Sequence, residues 1–453
     1  MKYVPHYDKN FKPLSLALKS FKERVAKSNK PDRVLVSIER HNGYNFQFKL
    51  DIFSDPKMYP ENLVIIERLI KSALWIAGGH KIVICGRGYV YEHIKLTYSP
   101  NGRRGFDNQF MSGVYGKPFT VERCKIEDFP ALKKASVKIG GHKKGYRIGF
   151  DAGGSDIKVS ALIDGEIVYQ EEIVWSPKTE SDYNYHKNHI RTAFLRAKSH
   201  LPRLDAIGVS SAGVYIDNKV KVASLFISVD KDDFKKHVES IYTDIAKEFL
   251  VPITVANDGD VTALAGAYAL EKGCVLGIAM GTSQAGGYIN QAGCIDDILS
   301  ELAFVPVDLN PTAPIDEWSK DVGVGAKYFS QDGVIRLSES AGITFKEGLS
   351  QAEKLKVVQR LAQENDPRID VVFNDIGIYL GYAIAYYSEF YKIDYLLLLG
   401  RALVGRGGKI VKDVAERVLR DEFSHLKHIQ IILPSDEKLK LQQSVVASTL
   451  TEI

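Results

Sequence analysis

The sequence predicts an α/β fold of more than one domain, and three observations predict it. The chain has 453 residues, against a usual domain size of roughly 100–200. Short β-rich runs alternate with helical periodicities along its length, which is the pattern of sheets with helices packed on them. The pattern also changes at a Lys- and Gly-rich stretch of low periodicity, residues 135–144, which reads as a linker.

Before the linker, residues 1–142 read as an α/β unit of their own. Arg33 to Arg40 and Phe46 to Phe53 are β-rich runs around His41-Asn42-Gly43-Tyr44-Asn45, and Asn-Gly between such runs is a hairpin signal. Glu61 to Ala77 follows as an amphipathic helix ended by Gly78-Gly79, and Lys81 to Cys85 as a short buried strand. From Tyr146 to about residue 272 the order is three β segments, helix, strand, helix, strand, helix. The turn Asp164-Gly165 has type I′ chemistry. A third unit, 273–453, opens with the strands Cys274 to Met280 and Gln284 to Asn290. Long helical patterns over 320–392, a strand at Ile393 to Leu399, a helix at Gly405 to Arg420 and a strand at His428 to Leu433 complete it.

Composition excludes several classes of function. Apolar residues are 45% and charged residues 26%, the balance of a globular protein. A net charge of +4 is weak over this length, and the cluster Lys143, Lys144, Arg147 is short, so no nucleic-acid partner is expected. Cys85, Cys124, Cys274 and Cys294 include no CxxC pair and have no histidine at zinc-finger spacing. They read as free thiols, and no zinc is expected. The N-terminus lacks an apolar signal region and no apolar run approaches the roughly 20 residues of a membrane span, so a cytoplasmic location without membrane contact is expected.

Four glycine-rich elements carry the chemistry. In Ile148-Gly-Phe-Asp-Ala-Gly-Gly-Ser155 an acidic residue ends a buried strand, then Gly153 and Gly154 let the backbone approach a ligand, and the hydroxyl of Ser155 follows. Such a turn can aim N–H groups at phosphate oxygens while Asp151 holds Mg²⁺ through water; a plain hairpin with a solvated Asp is the alternative. In Val255-Ala-Asn-Asp-Gly-Asp260 a carboxylate stands between a strand end and the small-residue helix Val261 to Leu270, where Asp258 can act as a general base and Asn257 can bond neighbouring hydroxyls. The alternative is helix capping by Asp258 or Asp260. Gly277-Ile-Ala-Met-Gly-Thr-Ser-Gln-Ala-Gly-Gly287 is a hairpin whose Gly281-Thr282-Ser283 tip can wrap phosphates, or is simply a tight hairpin with a glycine bulge. Leu399-Gly-Arg-Ala-Leu-Val-Gly-Arg-Gly-Gly408 is a strand-to-helix turn with room for adenine or phosphate, or an ordinary connection.

Together and in this order, the four elements resemble the superfamily of actin, hexokinase and the heat-shock chaperone ATPases, and within it the ROK family of sugar kinases and sugar-responsive repressors. The resemblance covers residues 146–450 or so. It implies an actin-like ATPase (ribonuclease H-like) fold of two lobes, 146–272 and 273–453, that clamp ATP, with 1–142 as an additional N-terminal α/β domain. Asp151-Ala-Gly-Gly-Ser155 is similar to the family's first phosphate loop, Gly281-Thr282-Ser283 to its second, and Asn257-Asp258 to its catalytic pair, with Asp258 as the base. Gly400 stands where the adenosine-site glycine pair begins, with Arg401 in place of the second glycine. Ile207-Gly-Val-Ser-Ser-Ala-Gly213 matches the strand and loop that usually read Gly-x-Pro-Gly.

The departures are informative. The family's Glu-x-Gly-His sugar motif stands here as Glu301-Leu-Ala-Phe304, which keeps the sugar-binding Glu301 but has Phe304 at the histidine. The cysteine-rich zinc loop is replaced by Asp321-Val-Gly-Val-Gly325. A helix-turn-helix, which a repressor of the family would carry, does not fit the β-rich hairpin at 33–53. The resemblance therefore implies ATP- and Mg²⁺-dependent phosphorylation of a sugar hydroxyl, by a chain that could pair as a homodimer. A sugar or nucleotide sensor on the same fold, or phosphotransfer to a non-sugar acceptor, is the alternative.

Overall fold

The computed structural model describes residues 1–135, 138–403, 405–433 and 443–453. Residues 136 and 137 of the expected linker, and Val404 of the fourth glycine-rich element, lie outside the described residues. The chain forms two compact units. One comprises Met1–Lys134, Ile278–Gly286 and Ile298–Leu433, and the other Ala135–Gly277, Gly287–Asp297 and Pro434–Ile453.

The unit that contains residues 135–277 is built on a five-stranded mixed sheet. Strands β1 (Asp32–Glu39), β2 (Asn45–Ile52), β3 (Lys81–Cys85) and β4 (Thr120–Cys124) precede it. The sheet itself takes β5 (Tyr146–Ala152), β6 (Asp156–Ile163), β7 (Glu166–Val174), β8 (Ala206–Ser211) and, after the small hairpin β9 (Val214–Ile216) and β10 (Lys219–Val222), β11 (Ile253–Asn257). The order is β11-β8-β5-β6-β7, with β11, β8 and β5 parallel and β6 and β7 antiparallel. Asp164 and Gly165 join β6 to β7 with positive φ at both residues, as a type I′ turn requires. One face packs the helices Tyr183–Lys198 and Ile241–Phe249 around Phe150, Phe194, Val209 and Tyr242. The single helix expected from 232 to 249 is broken by a wider turn at Phe234–Val238.

The residues 443–453 cover the other face. The short helix Gln443–Ala447 lies so close to the sheet that a Cβ on Gly149 would fall 1.6 Å from Ser444 O, and one on Gly208 1.7 Å from Ala447 O. Only glycine permits that approach. Ser160 shares a 2.7 Å hydrogen bond with Ser444, and the buried Arg147 guanidinium donates to the carbonyls of Ser448 and Thr451.

The other unit contains the sheet β2-β1-β3-β4. The strand pair β12 (Val275–Met280) and β13 (Gln284–Ile289) enters it by its tip, and a second sheet runs β13-β12-β14-β15, with β14 at Tyr395–Leu399 and β15 at Gln430–Ile432. Residues 1–142, expected as a domain of their own, are thus integrated with 298–433 as far as Lys134. The reason is physical. Asp375, on the helix Pro367–Tyr387, accepts from the N–H groups of His6 and Tyr7 (both 2.7 Å), and Pro13 bridges to Asp308. The helix Tyr59–Ala77 is buried almost all round from Ile65 onward, including Glu67, Arg68 and Lys71, so the polar face expected in solvent is internal.

That buried face meets Asp321. Arg68 grips its carboxylate at 2.7 and 3.2 Å, Arg104 lies 2.7 Å away and Lys71 3.5 Å away. Burial alone would raise the carboxyl of Asp321, but Lys71, Arg68 and Arg104 outweigh it and hold the group well below the usual carboxylate range. Asp107 takes Lys71 and the Trp75 indole N–H, and Glu67 takes Arg104, so acids and bases alternate through the cluster. The loop that replaces the expected cysteine-rich segment is therefore fastened by ion pairs to the helix Tyr59–Ala77. No helix among the described residues is long and apolar enough to cross a membrane.

Candidate active site

The three parallel strands β5, β8 and β11 bring their carboxyl ends together, and the ends of strands in an α/β sheet are where ligands bind. Asp151 lies one residue from the end of β5, in register with Ser210 of β8, and Asn257-Asp258 ends β11 and begins the helix Asp258–Leu270. The Asp151 carboxylate is buried at 7% exposure and accepts from the Ser210 hydroxyl at 2.8 Å. The Gln443 amide, turned so that its nitrogen faces the carboxylate, donates to both oxygens (2.9 and 3.1 Å) and accepts from Thr262. Burial pushes the Asp151 carboxyl up to about 6, against the Ser210 bond and Lys158, with Asp258 and Asp156 adding repulsion.

Asp258 is partly buried, and burial raises its carboxyl too, against a 3.0 Å bond from the Gly259 N–H. Among the described residues no cation pairs with it. The helix cap is neither of the aspartates considered for it: Asn257 Oδ1 accepts from the Gly259 N–H at 2.8 Å, while Asn257 Nδ2 donates to Gly213 O at 2.8 Å. Asn257 thus ties the end of β11 to the loop after β8. Asp260 is turned inward, and its Oδ1 accepts from the Tyr288 N–H at 3.2 Å.

The first glycine loop is fixed from behind and open in front. The Gly153 N–H closes the turn on Asp156 O (2.9 Å), and Trp175 clamps the far side, donating its indole N–H to Gly153 O (2.9 Å) and its backbone N–H to Ser155 O (3.1 Å). Gly154 and Ser155 are exposed, and the Ser155 hydroxyl donates to Asp156 at 3.1 Å.

The remaining candidates lie in the other unit. At the hairpin tip the Gly281 N–H donates to Ser283 O (3.0 Å), and Gly281 O accepts from Gln331 N (2.8 Å). A Cβ on Gly281 would meet only Ser283 O, at 3.7 Å, so the space above it is free; Thr282 and Ser283 are exposed. Gly400 has φ +108, and a Cβ there would fall 2.2 Å from Met280 O, so it is required for the end of β14 to pass the end of β12. The Glu301 N–H donates to Trp75 O (3.0 Å). The Phe304 ring centroid lies 4.2 Å from that of Trp75 and 5.7 Å from that of Phe106, and Phe110 also packs on Trp75 at 4.9 Å. The residue at the expected histidine is thereby held by the N-terminal segment.

No protein-family model matches the sequence, and no curated protein does. Solved structures do match. A ROK hexokinase from Thermus thermophilus aligns with 68% of this chain and 97% of its own at a TM-score of 0.53 and 16% identity. The fold is that of the ROK proteins. A ROK-family transcriptional regulator, a homologue of the E. coli MLC protein, aligns with 67% of this chain and 78% of its own at a TM-score of 0.50 and 14% identity. One ROK fold therefore carries a kinase and a regulator alike, and the choice between them rests on the residues above. Reasoning from sequence named Asp151, Asn257 and Asp258 but missed Gln443, which holds Asp151 from some 290 positions away and leaves no local signal.

Proposed function

We propose that this protein is an ATP-dependent kinase that phosphorylates a sugar hydroxyl, with Asp258 as the general base. The observation that carries the reading is the state of Asp258. It is a largely desolvated carboxylate with no cation paired to it among the described residues, at the joint ends of parallel strands, and its charge adds to the raising of the buried Asp151 carboxyl. A structural aspartate would be neutralised by a partner; a base is left free to take a proton.

In this reading Asp258 accepts the proton of the acceptor hydroxyl, held in place by the Asn257 cap. Asp151, wrapped by Ser210 and Gln443, would hold Mg²⁺ through water. The N–H groups and hydroxyls of Gly153, Gly154, Ser155, Gly281, Thr282 and Ser283 would take the phosphates, Gly400 would border the adenosine, and Glu301 would bond sugar hydroxyls. The free space above Gly281 and the exposure of Gly154 and Ser155 support those assignments. Bound Mg-ATP would supply the phosphoryl group and the charge neutralisation that phosphoryl transfer needs.

The test is a coupled ADP-release assay with Mg-ATP across a panel of hexoses, N-acetylhexosamines and disaccharides. Sugar-dependent ADP release that Asp258→Asn abolishes supports the reading. Sugar binding with no turnover would replace it with a sensor, the second reading, which the packing of Phe304 into an aromatic cluster favours.

A further inference from the structure

Beside the first glycine loop stands a cation that the reading above does not use. After Trp175 clamps Gly153 and Ser155, the chain makes a short turn, Pro177–Thr179, that is fastened at several points. The Ser176 N–H donates to the Tyr185 hydroxyl (2.9 Å), Pro177 O bonds the buried His186 ring (3.0 Å), and the Ser228 hydroxyl donates to Lys178 O (2.6 Å). The backbone of Lys178 is therefore as fixed as the loop itself. Its side chain reaches over the loop: a Cβ built on Gly154 would lie 3.4 Å from Lys178 Cε and 3.5 Å from Nζ.

The ammonium of Lys178 makes no hydrogen bond or ion pair among the described residues. The acids nearest to it in the chain and in the loop are committed elsewhere. Glu180 accepts from the N–H groups of Ser181 and Asp182 (3.0 and 3.2 Å), and Asp156 takes the Ser155 hydroxyl and faces Lys158 at 3.4 Å. An unpaired ammonium in contact with an exposed glycine, over a turn whose backbone is anchored on its far side, is a point charge aimed at whatever anion the loop holds.

We infer that Lys178 is a phosphate-binding residue of the Gly153–Ser155 loop, and that its ligand is the polyphosphate of a nucleoside triphosphate. The inference rests on the reading of that loop as a phosphate loop. Lys178 lies in the stretch after β7, outside all four glycine-rich motifs, so the loop and its cation come from separate pieces of sequence brought together by the Trp175 clamp.

The experiment is calorimetric titration of the full chain with Mg-ATP, Mg-ADP and adenosine. Wild type is compared with Lys178→Met, which keeps the alkyl length, and Lys178→Arg, which keeps the charge. The side chain is exposed, so both variants should melt like wild type. The expected result is that Lys178→Met weakens Mg-ATP about tenfold or more and Mg-ADP less, leaves adenosine unchanged, and loses part of the salt dependence of binding, while Lys178→Arg retains most of the affinity. Mg-ATP affinity in Lys178→Met within about twofold of wild type overturns the inference and leaves the phosphate loop standing. Wild type that binds no Mg-ATP overturns the reading of the loop, and the inference with it.

Discussion

The charge of Asp258 bears on Asp151: the two carboxylates end strands separated by one other in the same sheet, and repulsion between them adds to burial in holding Asp151 up to about 6. Each is easier to protonate than a surface aspartate, and neither is neutralised by an ion pair. A buried acid and a partly buried one, both raised by burial and neither held by an ion pair, cost stability that an amide pair would not, which is a pattern of function rather than of folding.

If Asp258 is the base, Asp258→Asn keeps its shape and hydrogen-bonding reach but cannot accept the proton. Turnover should fall about 10²–10⁴-fold, with sugar and Mg-ATP dissociation constants moving only a few-fold. Because burial raises its carboxyl, the acid limb of the wild-type rate should lie above the roughly pH 4 of an ordinary aspartate, rate rising with pH as the group loses its proton. Asp260→Asn is the control: it still accepts from the Tyr288 N–H, so about 0–1 kcal/mol of stability and little rate should be lost. Loss of turnover in the control alone would move the base by two residues.

Asp151→Asn should separate stability from activity. The folded carboxyl binds its proton more tightly than the unfolded one, so in the window from about pH 4 to 6 the native state carries more protons and stability falls as pH rises. Above about pH 6 the buried charge remains as a cost. Asparagine removes it, so urea unfolding at about pH 7.5 should show Asp151→Asn more stable than wild type by on the order of 1–3 kcal/mol. Below about pH 4 the difference should vanish, and activity should be lost throughout.

Two glycines make opposite predictions. Gly281→Val has room for its Cβ and an ordinary backbone, so it should fold like wild type and weaken Mg-ATP about tenfold or more, its methyl groups filling the phosphate path. Unchanged affinity in the folded variant would remove the second phosphate loop. Gly400→Ala puts a Cβ 2.2 Å from Met280 O at φ +108 and should instead destabilise the unit, by about 1–3 kcal/mol in urea, before any ligand is added.

Asp321→Ala strips the shared partner from Arg68, Lys71 and Arg104 and leaves three buried cations with two acids. Breaking a buried ionic network in this way costs about 3–5 kcal/mol, and urea unfolding should show it. Metal analysis of the purified wild-type protein should find no tightly held zinc, since ion pairs fasten this loop; one zinc per chain would refute the assignment.

Much of the fold could be read from local pattern. The strands that carry Asp151 and Asn257 at their ends announce themselves as apolar runs closed by glycine or a polar pair, and the Asp164–Gly165 turn needs only its own two residues to be understood. Other features resist such reading because they depend on distant partners. Lys71 and Glu67 have the spacing of a solvated helix face, yet Asp321 and Arg104, remote in sequence, make that face internal. Phe304 reads as a lost histidine until Trp75 and Phe106 are beside it. The Lys- and Gly-rich stretch at 135–144 marks a change of composition, but composition does not show that residues 1–134 and 298–433 belong to one compact unit.

The close approach of residues 443–453 to Gly149 and Gly208 sets an order on biosynthesis. The strands β5, β6 and β8 leave the ribosome long before the segment that seats against them, so one face of that sheet stays bare through the synthesis of most of the chain. Seating of Gln443 against Asp151 then waits on residue 443, and a nascent chain arrested before that position would hold the first glycine loop with Asp151 unclasped.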